Sequence, residues 1–131
     1  MPRVLALDHG SARCGCAVSD PSGTLATPLA AVERPDTRKG LAAVVRLVEE
    51  REAERVLVGL PLTLAGEEGE QAAAARAFAG RLEARLSVPV ELHDERLTTR
   101  LAERTGGSHG EDSRAAAHLL ESYLARRASR V

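Results

Sequence analysis

Aromatic side chains are almost missing from this chain of 131 residues: Phe78 and Tyr123 stand alone, and there is no tryptophan. Proteins that read single-stranded bases stack them on such rings, so any contact with nucleic acid is expected at the backbone. Net charge is −1, which excludes a global basic field and confines a polyanionic partner to a local patch. Lysine is scarce too. Lys39 is the one lysine among 18 basic residues, so the available cation is guanidinium, which suits forked contact with phosphate or carboxylate but is equally a product of codon bias. No apolar run approaches the ~18 residues of a membrane span, and the chain enters a strand-like run at Arg3 without a charged-then-apolar leader. The expectation is a cytoplasmic protein with no membrane partner and reduced thiols. Cys14 and Cys16 are the only cysteines. They lack the further thiols of a zinc site and are expected in the core.

What is present suits one folded domain over residues 1–131, with 44% apolar and 28% charged residues. "RVLALD", "RCGCAVSD" and "TLATPLAAVE" read as three successive strands, with Gly10 and Gly23 at the turns. Residues 36–52 switch to helical spacing, with Leu41, Val44, Val45 and Val48 as the apolar stripe and Asp36 or Thr37 as the cap. "RVLVGLPL" has the continuous apolarity of a central strand. An alanine-rich helix over 67–86, a strand at "VPVELHDE", a short helix at "RLTTRLAERTGG" and a last helix over 108–127 follow. A meander followed by alternating strands and helices predicts an α/β fold with a mixed sheet.

Three acids stand apart from the surface charge. Asp8 ends the first strand and Glu95, with Asp94 beside it, ends the fifth; open α/β sheets place their sites at such strand ends. Asp112 lies one turn before Ala116 on the apolar stripe of the last helix, if "SHGE" forms a capping box with Ser108 as N-cap. Acids brought together repel one another and hold their protons, and a divalent cation reverses that preference. An oxygen-rich site for Mg²⁺ or Mn²⁺ is one reading. Plainer roles are open at each position. An Asp before a turn glycine accepts backbone hydrogen bonds, Asp94 suits a helix N-cap with Glu95 in its first turn, and Asp112 is a cap if the helix starts later.

Taken together, "LALDHGSARCGCAVSD", "VLVGLPLTLAGEEGEQAAAARAFAGRL", "VELHDERLTTRLAE" and "EDSRAAAHLLESYL" resemble the YqgF/RuvX family of bacterial RNase H-like nucleases. Its members are described both as Holliday junction resolvases and as pre-16S ribosomal RNA nucleases. The resemblance spans nearly the whole chain in order. It implies a five-stranded RNase H-like sheet, three antiparallel strands then two parallel ones, with helices on both faces. It also implies that Asp8, Glu95 and Asp112 are the catalytic metal ligands, with Asp94 supporting them. The implied chemistry is hydrolysis of a phosphodiester assisted by two Mg²⁺ or Mn²⁺ ions, Asp8 bridging them. The implied partner is an rRNA precursor or branched DNA, and the protein a monomer or a homodimer; resolving a junction requires paired sites. A non-catalytic RNA- or ribosome-associated module is the alternative.

Family members often carry a longer basic stretch before the final acid, where this chain has the short "RTGGSHGED". Phosphate contacts are therefore expected from scattered arginines. Arg13 and Arg96 are the candidates beside the site, whereas Arg100, Arg104 and the C-terminal arginines suit a solvated face. His9 is expected to be exposed in the turn. "GLPLTLAGEEGE" reads as a substrate-edge loop leading into a capped helix, its Glu67, Glu68 and Glu70 opposing phosphate. Gly59, with no Cβ, is expected to permit a close approach of backbone or substrate.

Overall fold

The computed structural model describes residues 2–97 and 110–128. Strands β1 (Val4–His9), β2 (Arg13–Ser19) and β3 (Ala26–Glu33) form the antiparallel meander, followed by α1 (Arg38–Glu50), β4 (Arg55–Leu60), α2 (Glu70–Arg85), β5 (Val90–Asp94) and α3 (Glu111–Ala128). The sheet order is β3-β2-β1-β4-β5. β4 lies parallel to both β1 and β5, because each crossover through a helix returns the chain in the same direction. This is the RNase H-like order that the resemblance implies.

Strand alternation divides the core into two layers. Leu5, Leu7, Cys14, Cys16, Val56 and Val58 pack under α1 and α2, against Val44, Val48, Phe78 and Leu82. Both cysteines are buried free thiols there. The other face carries Val4, Ala6, Ala17 and Leu57 beneath Ala116, Leu119, Leu120 and Tyr123 of α3. Small strand residues let α3 sit close to the sheet. At Gly15 a Cβ would overlap the Asp112 carbonyl and the Ser113 amide. Buried Ser113 completes this joint: its Oγ accepts the Cys16 N–H at 3.2 Å, where the β2–β3 register shifts between Cys14 and Cys16.

Of the two expected caps for α1, Thr37 takes the role, its Oγ1 accepting the Gly40 N–H at 3.0 Å. Two expected helix starts move. α2 begins at Glu70 rather than 67, behind Gly69, which provides no side-chain cap. α3 begins at Glu111, and the Gly110 carbonyl accepts the Arg114 N–H. Gly110 thus takes the place expected of Ser108; the Ser113 joint to β2 fixes where the first turn lies. The expected helix at "RLTTRLAERTGG" lies largely outside the described residues, beyond a 3₁₀ turn over Glu95–Leu97.

Candidate active site

Asp8 is in step with Val4 and Ala6 along β1, so it opens on the α3 face, opposite Gly15 of β2. Glu95 leaves the end of β5 on that same face, two residues beyond His93, whose ring meets Tyr123 of α3 edge-on at 5.7 Å. It settles over Gly59, where a Cβ would strike its Oε1. The close approach at Gly59 is thus made by a carboxyl side chain rather than by the backbone or substrate expected there.

Asp8 and Glu95 are hydrogen-bonded to each other. Burial raises the proton affinity of both. Glu95 is pushed up to about 8, first by burial and then by the bond to Asp8, so at neutral pH its carboxyl donates to the Asp8 carboxylate. The nearby negative charge of Asp112 raises Asp8 further. Asp112 itself is half-exposed and accepts from Arg13 Nε at 3.0 Å. The structure therefore brings Asp8 and Glu95 into contact and Asp112 near them, but turned to a guanidinium. Among the described residues, no three His, Cys, Asp or Glu side chains gather closely enough to hold a metal ion.

The flanking residues have separate tasks. Asp94 grips Arg96 through Nε at 3.0 Å and Nη2 at 2.7 Å, and that guanidinium holds the Asp94 carboxyl below its ordinary range. Arg96 also donates to the Leu64 carbonyl at 3.2 Å. The pair braces both neighbours of Glu95. Arg100, Arg104 and Arg130 lie outside the described residues.

His9 departs from its expected exposed turn position. Its side chain is 5% exposed, stacked on Phe78 with ring centroids 4.7 Å apart. Nε2 donates to Asp36 at 2.8 Å, and Asp36 also accepts from Arg81 at 2.6 Å. The alternation that aims Asp8 at α3 aims His9 at α2. The end of β1 is thus fastened beneath the sheet while its carboxylate stands above it. Sequence reasoning missed this strut and the Ser113 joint. A serine placed among the core positions of α3 was the available signal for the latter.

A mixed β-sheet with acids at two strand ends and at the start of the covering helix defines an RNase H-like fold with a carboxylate centre. The sequence pattern of the RuvX family, described as Holliday junction resolvase, matches residues 2–126. The chain belongs to the RuvX family. It is 42% identical over 135 aligned residues to a Chloroflexus aurantiacus protein named "Putative pre-16S rRNA nuclease", covering 96% of this chain and 88% of that one. A Thermobifida fusca protein of the same name is 53% identical over 110 residues, covering 80% and 67%. Among solved structures, Thermus thermophilus RuvC in complex with a Holliday junction substrate superposes with a TM-score of 0.65 at 18% identity, over 98% of each chain. At that identity the likeness shows the fold.

Proposed function

We propose that Asp8, Glu95 and Asp112 form the catalytic centre of a nuclease that hydrolyses phosphodiesters in structured nucleic acid with the help of Mg²⁺ or Mn²⁺. The observation that carries this reading is the Asp8–Glu95 pair. Two carboxyls desolvated in contact cannot both ionise cheaply, and the proton that Glu95 keeps to about 8 occupies the place a divalent cation fills better. The donor set fits such an ion: its atoms are hard carboxylate oxygens, and Gly59 leaves the cradle open.

Asp8 and Glu95 would hold the cation, and Asp112 would complete the set by exchanging Arg13 for it. When bound, the cation supplies Lewis acidity toward the scissile phosphate. Other roles belong to the chain. Arg13, more than half exposed beside the acids, binds a phosphate oxygen of the backbone. Asp94 and Arg96 keep Glu95 oriented, so Arg96 acts as a brace more than as a free phosphate ligand. Precursor 16S rRNA is the favoured substrate, supported by the names of the relatives that are 42–53% identical. The family description favours a four-way DNA junction as the second reading.

The test is cleavage of a labelled precursor 16S rRNA 5′ leader and a labelled four-way DNA junction, with Mg²⁺, Mn²⁺ or EDTA. Cation-dependent cutting of the leader that Asp8→Asn abolishes is expected. Cutting of the junction instead transfers the function to resolution. Binding of both without cutting makes the chain a non-catalytic module.

A further inference from the structure

One large apolar side chain at the active-site end of the sheet is turned fully outward. Leu64 is 96% exposed. Among the described residues the other exposed large hydrophobe is Leu25, which belongs to the β2–β3 connection at the far end. Its carbonyl accepts the Asp20 N–H there, beside the Ser19–Val4 hydrogen bond. A lone exposed leucine is ordinarily unremarked; what distinguishes Leu64 is its mounting.

Residues 62–68 form a closed hairpin. Leu62 bridges Glu68, the Thr63 N–H donates to the Glu67 carbonyl at 2.9 Å and the Gly66 N–H to the Thr63 carbonyl at 2.8 Å. The Glu67 N–H donates to Thr63 Oγ1 at 3.0 Å. Gly66, with φ of +85°, supplies the left-handed residue that closes the turn. Leu64 therefore sits at the apex of a self-bonded loop and cannot fold back into the core without breaking it. The apex is also bolted to the site. Arg96 donates to the Leu64 carbonyl at 3.2 Å and lies against Gly66, while Asp94 grips the same guanidinium from the other side of Glu95. The tip is thus referenced to the two residues that flank a catalytic carboxylate.

The loop is unsuited to gripping phosphate. Glu67 and Glu68 lie behind the tip, and the nearby Arg76 is consumed by a forked pair with Glu68 at 2.6 and 2.8 Å. Its outward chemistry is a branched hydrocarbon, which matches the flat apolar face of a base and not the sugar–phosphate chain. Resting on the nuclease reading above, we infer that Leu64 is a wedge that enters a base step next to the cleaved phosphate. A single leucine gains too little on burial to open a well-stacked step by itself. It is accommodated where stacking is already interrupted, at a branch point or at the foot of a stem. The loop thus selects nucleic acid whose base stack is discontinuous, which both substrates proposed above contain and a uniform duplex does not.

The experiment compares wild type with Leu64→Ala and Leu64→Phe on four probes. These are a four-way DNA junction and the precursor rRNA leader, each with 2-aminopurine at the branch or stem foot, and uninterrupted DNA and RNA duplexes of matching sequence. Fluorescence on binding in EDTA reads unstacking, and cutting in Mg²⁺ reads preference. The expected result is a fluorescence rise with wild type on one branched probe and a preference for it over its duplex. Leu64→Ala loses the rise and about 10-fold or more of the preference, and Leu64→Phe retains both. Whichever branched probe responds identifies the source, DNA or RNA. If wild type cuts and Leu64→Ala matches it in fluorescence and preference, the wedge is refuted and the nuclease reading stands. If wild type neither binds nor cuts any probe, the nuclease reading fails and the wedge with it.

Discussion

Replacing Glu95 with glutamine removes the proposed activity, and the same change should make the cation-free protein more stable in a pH-dependent way. Glu95 keeps its proton in the folded state up to about 8, against an ordinary value of 4.5. An unfolded chain releases that proton at the ordinary value. Between about pH 4.5 and 8 the unfolded state therefore binds fewer protons than the folded one, and stability falls as pH rises. Above about 8 the loss is complete and the curve flattens. A glutamine carries no such slope, and its amide donates to Asp8 as the protonated carboxyl does.

At about 1.4 kcal/mol for each tenfold change in proton affinity, the upper bound on the loss is ~5 kcal/mol. Glu95 is only half-buried and solvent screens part of the effect, so about 2 kcal/mol is the working figure. For a domain of this size that raises the melting temperature of Glu95→Gln by roughly 5–10 °C over wild type at pH 8. The assay is thermal denaturation in EDTA at pH 5 and pH 8, repeated at pH 8 with Mg²⁺. The variant's advantage should be small at pH 5 and full at pH 8. Mg²⁺ should reduce it by stabilising wild type more. An equal advantage at both pH values, or a variant less stable than wild type at pH 8, refutes the reasoning.

Two glycines make a contrasting pair. Gly15→Ala drives a methyl into the backbone of Asp112 and Ser113, which cannot rotate away, so urea denaturation should show a loss of about 1–3 kcal/mol together with lost cleavage. Gly59→Ala meets the Glu95 side chain instead; the carboxylate can swing aside, so stability should change by less than ~1 kcal/mol while the turnover rate drops about 100-fold. Arg13→Met releases Asp112 from its guanidinium. Mn²⁺ titration followed by electron paramagnetic resonance should then show several-fold tighter binding, while KM for nucleic acid rises; weaker Mn²⁺ binding would mean that Arg13 holds Asp112 in place for the cation.

The sheet was legible because its central strands, β1 and β4, are short continuous apolar runs covered on both faces, and because a meander followed by helical crossovers leaves few ways to connect five strands. Helix starts were less legible. A local rule placed the first turn of α3 at Ser108, yet the turn lies where Ser113 satisfies an amide freed at the β2 irregularity. Likewise α2 starts late because residues 62–68 close on themselves as a hairpin. In both places a tertiary or medium-range hydrogen bond outranks the capping pattern.

The site divides in the same way. Asp8 and Glu95 were legible as acids at strand ends, and alternation alone fixes the face on which Asp8 stands. Their mutual hydrogen bond was not, because it depends on Gly59 in a third strand having no Cβ. Nor was the role of His9, whose partners Phe78 and Asp36 belong to elements that meet it only after folding. A polar residue next to a turn glycine has the local pattern of an exposed one; here alternation at the end of β1 sends Asp8 and His9 to opposite sides of the sheet. One finds a second carboxyl, that of Glu95, and the other an aromatic ring and a carboxylate that already has an arginine. The consequence is a division of labour within two adjacent residues. The lower face, with His9, Asp36 and Arg81, fastens the strand end, so the upper face can carry a carboxyl pair whose burial opposes ionisation.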